Sequence, residues 1–378
     1  MVSIPSNLLV PGFYFTASGT SSAVDTSQNV VLLGDVTTGS PNVPRLATSV
    51  NDAITTYGAN ATLTQMYSKY FSRDPVSTVY MVPTAITAGV PDVADALASL
   101  GDMPVGYVVS PWADQASANA VDSWLNETTG RWAPTIQLMG VGLTALKYNA
   151  NAITGILSAD SANPLGTNSK YLSCLPVANS STDSQAVIAA DFAGAVIPSL
   201  QAQPNQPLSD IPLTFAAPVR TDVPSISVRN TLLQTGYSTF KLNGVGQPAL
   251  EWVNTLNTQD AIGNPTNAWQ DLTTVATLQY IVEAFRQVYT DYLTRCVITD
   301  NPAIAVTGSI YVTTGSVLGL YIACYKRLYA GGYVDNVSKF IQNATVTNTG
   351  NGKFALFSPI TIAQGLRAVD ANINFSLS

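Results

Sequence analysis

Between Asn29 and Leu200, short apolar runs alternate with helical patterns, and this alternation restricts the fold more than any other feature of the chain. The runs are Val30–Leu33, Thr78–Val82, Gly106–Val109, Thr135–Met139 and Tyr171–Leu175. Helical spacing of apolar residues marks Val50–Tyr57, Leu63–Phe71, Val93–Leu100, Ala116–Leu125 and Ser184–Leu200. A strand with one solvated face alternates apolar and polar residues, whereas a near-continuous apolar strand is covered on both faces. The pattern predicts an α/β domain over 25–215, with a largely parallel sheet covered by helices.

A loop with Pro204, Pro207, Pro212, Pro218 and Pro224 follows, and places a domain boundary near Ala216. Beyond it the periods change. Thr231-Leu232-Leu233 stops at Gly236, a residue that tolerates positive φ. Tyr237–Asn243 alternates, with Phe240 and Leu242 apolar. Gly244–Pro248 has turn chemistry, and Ala249–Leu256 runs back with Leu250 and Trp252 on one face. Two such runs joined by a short Gly-rich loop read as a β-hairpin. From Asp271, a plausible N-cap, Leu272, Val275, Leu278, Val282, Phe285, Tyr289, Tyr292 and Cys296 form one stripe. The stripe predicts a helix of about 25 residues. A second helix is expected over Ile310–Leu328, a strand over Phe354–Phe357 and a short helix over Ile362–Val369. These pieces make an α+β domain over 216–362.

The two ends read as extended β arms, 1–24 and 363–378. In the first, Phe13 and Phe15 share a face opposite Tyr14. In the second, Ile373, Phe375 and Leu377 alternate strictly with polar residues, the signature of a half-buried strand. No neighbouring strand follows in sequence, so its partner must be remote or on another chain.

Only 10% of the 378 residues are charged, against roughly 25% in an average domain, which suggests a surface covered by partners. Net charge is −7 and no Lys/Arg cluster exists, which argues against nucleic-acid binding. There is no histidine, which removes the commonest general base, the Ser-His and Cys-His pairs and most zinc sites. Cys174, Cys296 and Cys324 are widely spaced and read as buried reduced thiols. Gly34–Ser40 follows a strand but lacks the lysine of a phosphate loop. The Tyr280/Tyr289/Tyr292 and Tyr321/Tyr325/Tyr329 sets read as core or interface aromatics. No catalytic, cofactor-binding or metal site is expected. No leader and no apolar run long enough to span a membrane is expected either.

The order of these pieces resembles a known family, the contractile tail sheath proteins of bacteriophages, in its Mu-like branch. The matching residues are Arg229–Phe240, Glu251, Thr255, Gly263-Asn264-Pro265, and Asp271–Thr274 leading into Leu278–Ile281. Upstream they include Val31–Gly34, Thr48-Ser49, Tyr57-Gly58, Pro111–Asp114, Trp132–Pro134, Ala189–Ala193 and Pro207-Leu208. Where the family usually has arginine after the second-strand glutamate, this chain has Trp252. A β-rich insertion that many relatives carry after the position of Pro83 is missing.

The resemblance implies a structural subunit rather than an enzyme. Hexameric rings would stack helically around a tail tube and contract, without nucleotide, to drive the tube through the host envelope. The arms would each add a strand to a neighbour, with the hairpin of Phe240, Leu242, Leu250 and Trp252 as acceptor. The second domain would face the tube. Implied partners are further copies, the tail tube protein, and baseplate and tail terminator proteins. The implied location is the virion, after assembly in the host cytoplasm. On the residues alone, the alternative is an α/β small-molecule binding protein or enzyme.

Overall fold

The computed structural model describes residues 29–149, 165–305, 310–369 and 371. Both arms' named residues, Phe13, Tyr14, Phe15, Ile373, Phe375 and Leu377, lie outside the described residues.

The apolar runs form a six-stranded sheet. Its strands are β1 (Asn29–Gly34), β2 (Arg45–Leu46), β3 (Val79–Pro83), β6 (Val105–Ser110), β7 (Val141–Tyr148) and β8 (Leu172–Ala178). A two-residue hairpin, β4 (Ile86–Thr87) and β5 (Val90–Pro91), follows β3. The sheet order is β2-β3-β1-β6-β7-β8, parallel throughout except for β2. Strand β6 is buried along its whole length, as a strand covered on both faces must be.

Helices α1 (Val50–Tyr57), α2 (Thr62–Arg73), α3 (Val93–Ala98), α4 (Gln115–Leu125) and α5 (Gln185–Ala202) cover the sheet. Four of their starts are fixed by side chains. Ser49, Asp92, Asp114 and Ser184 each accept a hydrogen bond from the backbone N–H three residues on. Helix α5 is apolar nearly all round, because α2 packs on one side of it and the sheet on the other.

One expected strand is absent. Thr135–Met139 is a turn and loop in which Gln137 and Met139 both adopt positive φ, and the sheet takes Val141–Tyr148 instead. The expectation failed because β7 alternates small with large residues (Val-Gly-Leu-Thr-Ala-Leu) and so shows less apolar bulk.

Beyond the proline-rich loop lie α6 (Ile226–Gln234), β9 (Thr239–Leu242), β10 (Pro248–Trp252) and α7 (Leu272–Val288). A π-helical turn, Tyr289–Leu293, ends α7. Then come β11 (Val297–Ile298), β12 (Tyr311–Val312), α8 (Thr314–Ala330), α9 (Val337–Asn343) and the hairpin β13 (Thr345–Gly350) and β14 (Lys353–Phe357). Helix α7 stops short of Cys296 because the chain turns so that Val297 and Ile298 can pair with Tyr311 and Val312.

The expected helix over Ile362–Val369 is also absent. Ile362 bridges Val334, the Thr361 carbonyl accepts from the Asp335 N–H at 2.8 Å, and the Ala363 N–H donates to the Tyr333 carbonyl at 3.1 Å. These tertiary backbone bonds outcompete a short helix, which is marginal on its own.

Apolar packing does not part at Ala216. Leu208, Leu213, Phe215, Phe240, Leu250, Leu272 and Val275 belong to the same buried cluster as the large sheet. A second cluster starts further along α7 with Ile281, Ala284 and Val288, and adds Tyr325, Leu328 and Phe340 from α8 and α9.

Candidate assembly surfaces

The β9–β10 hairpin is welded to the edge of the main sheet. The Ser238 N–H donates to the Cys174 carbonyl and the Leu256 N–H to the Leu172 carbonyl, both at 2.9 Å, so the hairpin's outer ends hang on β8. Buried Ser173 and Ser238 hydroxyls bond each other at 2.9 Å. Gly236, at φ +88°, brings α6 against this joint, where a Cβ would lie 3.0 Å from the Thr255 carbonyl oxygen. Arg229 on α6 donates to Glu251 on β10 at 2.7 Å and to the Pro224 carbonyl at 2.7 Å. The ordered residues Arg229, Gly236, Glu251 and Thr255 thus fasten α6 and the hairpin to each other.

Of the four expected acceptor residues, Phe240, Leu250 and Trp252 are buried and Leu242 is half-buried. Phe240 sits edge-on to Phe215. Phe240 and Leu250 belong to this chain's own core and Leu242 packs against it, so what the hairpin can offer a partner is backbone.

Leu250 stands opposite Phe240, but a bulge follows and Trp252 stands opposite Thr239. Successive strand residues point to opposite faces, so Leu250 and Trp252 do not share one, contrary to the alternation of the sequence. The indole Nε1 of Trp252 donates instead to Asp271 at 2.7 Å. Asp271 precedes α7 as expected, but its carboxylate makes no capping bond to the helix.

The outer edge of β10 is occupied. The Leu250 N–H donates to the Ile211 carbonyl, and the Leu250 and Pro248 carbonyls accept from Asp210 and Leu213. By antiparallel alternation, the backbone groups of Phe240 and Leu242 then point out along the opposite edge of β9. Among the described residues nothing bonds to them there. A second available sheet pairs the expected strand at Phe354–Phe357 with Thr345–Gly350, a strand the sequence did not mark. Hairpin β13–β14 is mostly exposed, and its edges are unpaired among the described residues.

Concavities lie elsewhere among the described residues. A groove of about 620 Å³ between α3 and α4 is lined by small residues such as Ala94, Ala98, Gly101 and Ala120. Buried Arg131 closes it, donating to the carbonyls of Met139, Met103 and Val105 at 3.1, 2.8 and 3.3 Å. Burial lowers the pKa of this guanidinium to about 10. A cleft of about 260 Å³ between the π-helical turn and β13–β14 is lined by Tyr289, Leu293, Cys296, Phe354 and Leu356. Cys174 and Cys324 are buried as expected, but Cys296 is half-exposed at this cleft. Tyr325 is a core residue, stacked on Phe340, whereas Tyr289, Tyr292 and Tyr329 are exposed.

The strand order β3-β1-β6-β7-β8 has its switch point between β1 and β6, where open α/β sheets usually bind ligands. Here the polar groups satisfy one another. The Thr144 hydroxyl donates to the Ser110 carbonyl at 3.0 Å, Gln185 Nε2 to the Pro111 carbonyl at 2.8 Å, and the Leu63 N–H at the start of α2 to the Asp35 carbonyl at 3.2 Å. A side chain at Gly34 would collide with Leu63. Among the described residues no cluster of three or more Cys, Asp or Glu side chains could hold a metal ion, and no helix is long and apolar enough to cross a membrane.

No protein-family model matches the chain. It is 25% identical over 261 residues to the Mu-like prophage FluMu tail sheath protein of Haemophilus influenzae. That stretch is 69% of this chain and 51% of the relative, so the chain spans about half the length of the curated protein it matches. Its fold is that of solved sheath proteins. The sheath tail protein of Desulfitobacterium hafniense superposes with a TM-score of 0.60 at 11% identity, covering 94% of this chain and 97% of that one. The PVC sheath complex of an extracellular contractile injection system, in the contracted state, gives a TM-score of 0.62 at 11% identity, covering 100% and 99%. The resemblance to tail sheath proteins therefore holds in sequence and in fold, and the matched proteins are structural components rather than enzymes.

Proposed function

We propose that this chain is the structural subunit of a contractile tail sheath, polymerising as hexameric rings stacked helically around a tail tube. The observation that carries the reading is the shared fold along nearly the whole chain, joined to the match with a Mu-like sheath protein. In this reading the rings contract from a metastable lattice and drive the tube through the host envelope. Baseplate and terminator proteins bound the sheath at its ends, and assembly takes place in the host cytoplasm.

Residues 1–24 and 363–378 serve as arms that add strands to neighbouring subunits through main-chain hydrogen bonds. The edge of β9 at half-buried Leu242, and the edges of β13–β14, are the acceptors that the described residues offer. The part beyond 216 faces the tube and residues 25–215 lie outside. In support, residues 216–378 carry ten Lys/Arg and nine Asp/Glu, whereas residues 1–215 carry six and 14, so the two parts differ in sign. An end of opposite sign to the rest suits a partner unlike the subunit itself.

Electron microscopy of the purified protein tests the reading. Long hollow cylinders are the expected result. A uniform small particle at every concentration and salt tested sinks it.

A further inference from the structure

The bulge after Leu250 turns Trp252 away from the hairpin's apolar face, and the face it reaches is not left to solvent. Arg367, ten residues past the end of β14, lies over the indole with its guanidinium carbon 4.7 Å from the ring centroid. The same guanidinium donates to Asp271 Oδ1, the oxygen that already accepts from the Trp252 indole N–H. One carboxylate thus orients the ring and holds the cation stacked on it. Two residues before, Gly365 fits against Pro207, where a Cβ would lie 2.8 Å from the ring carbon Cγ. On either side of Arg367, Leu366 and Val369 are largely exposed and hold nothing. Beyond Ala363, whose N–H donates to the Tyr333 carbonyl, the Gly365 fit and this triad are the attachments among the described residues, and the triad supplies the polar bonds.

We propose that Arg367, Trp252 and Asp271 form a pin that fixes where the C-terminal segment leaves the body of the molecule. Arg367 is a positioning residue. It sets the origin and direction of the residues that follow, and it does so on the strand pair that also carries the open β9 edge. The direction of the outgoing segment and the availability of the hairpin are then coupled through one indole. A guanidinium suits this role better than an ammonium, because its plane can stack on the ring while its edge donates to the carboxylate. The pair is partly exposed, with side-chain accessibilities of 45% and 31%, so the pin is releasable and weakens with added salt.

The inference about the pin stands on the described residues alone. Its consequence for assembly rests on the sheath reading, and the experiment separates the two. Arg367 is itself a trypsin site. In the full-length chain, release of the 368–378 peptide, followed by mass spectrometry under mild digestion, reports how often the pin opens. Asp271→Asn keeps a competent helix-starting residue but removes the charge, and should speed cleavage after residue 367 by about five- to tenfold. Trp252→Phe, which keeps a ring but loses the indole N–H, and Arg367→Lys, which keeps both charge and cleavage site, should fall between. Cleavage within α8, after Lys326, should be unchanged in all variants and so reports an intact fold. Equal rates of 368–378 release in the native protein and in Asp271→Asn overturn the pin. A native protein that never polymerises, yet shows the expected cleavage differences, overturns the assembly reading and leaves the pin standing.

Discussion

At the scale of single residues, the informative groups are those whose surroundings decide their charge. Asp122 on α4 is desolvated, and this outweighs its hydrogen bond with Ser169, so its pKa lies above the ordinary 3.8. The folded state therefore holds that proton more tightly than the unfolded state. Stability is fully present below 3.8, falls as pH rises through the folded value, and stays reduced above it. Asp122→Asn should raise the thermal midpoint at about pH 7 and leave it unchanged near pH 3. A midpoint shift of equal size at both values would show that the effect is not ionisation. Sequence reading supplied many of the fastening residues as members of an ordered series, among them Arg229, Gly236 and Glu251. It could not supply their partners. That Glu251 meets Arg229, and Trp252 meets Asp271, depends on a bulge, which period-2 alternation cannot register.

At the scale of elements, one buried carboxylate holds the proline-rich loop at Thr214 and Phe215. Asp191 on α5 accepts from the Thr214 N–H at 2.7 Å, from the Phe215 N–H at 3.1 Å and from the Thr214 hydroxyl. Lys69 and Arg73 on α2 stand 3.7 and 3.6 Å away and also donate to the Thr214 and Pro212 carbonyls. The loop that reads as a linker is thus clamped onto two helices. Asp191→Ala leaves two cations without their counter-ion and two backbone N–H groups without their acceptor. It should cost about 3 kcal/mol in denaturant unfolding, the usual scale for breaking a buried pair, and should open the 212–216 stretch to proteases. A loss below about 0.5 kcal/mol, the level of an ordinary surface change, would contradict the clamp. Strand and helix types were legible where helical spacing and a capping residue coincided, as in α1, α4 and α5. Thr135–Met139 and Ile362–Val369 were misread because local apolar content was similar in strand, helix and loop, and tertiary hydrogen bonds chose between them.

For the whole molecule, the parallel sheet with helices over 29–202 was legible, since a covered sheet leaves its mark on every strand. The continuity of the core past Ala216 was not, because a proline-rich composition marks irregular backbone and says nothing of what that backbone packs against. The proposed assembly makes a prediction at this scale. Burying Ile373, Phe375 and Leu377 would contribute about 1.5–3 kcal/mol each, offset by on the order of 1–2 kcal/mol per residue ordered. Each arm then contributes little by itself, and cohesion comes from repetition. Removing 371–378 should leave the rest folded by circular dichroism but abolish polymers in sedimentation. Phe375→Asp should act alike, and Ser376→Asp, on the opposite face by alternation, should be milder. Normal polymers from the truncated chain would count against the arm.

Besides the hydrogen bonds from Asn205 to the Gly332 carbonyl and from Arg286 to the Gln137 carbonyl, two lengths of chain join the apolar clusters. Helix α7 contributes Leu272, Val275 and Ala276 to one and Ile281, Ala284 and Val288 to the other. The returning segment leaves the second cluster at Ile360 and Ile362, passes Pro207 at Gly365, and is made fast at Arg367. In mechanical terms these are a strut and a tie. The helix, about 25 Å long, keeps its length under compression as well as tension. The segment without helix or strand can slacken but resists stretching once it is drawn out. A load that bends the α8–α9 end toward the tie leaves the tie slack and falls mainly on the helix. A load that bends it the other way meets both, until Arg367 slips from the indole, and the stiffness of the molecule therefore has a sign.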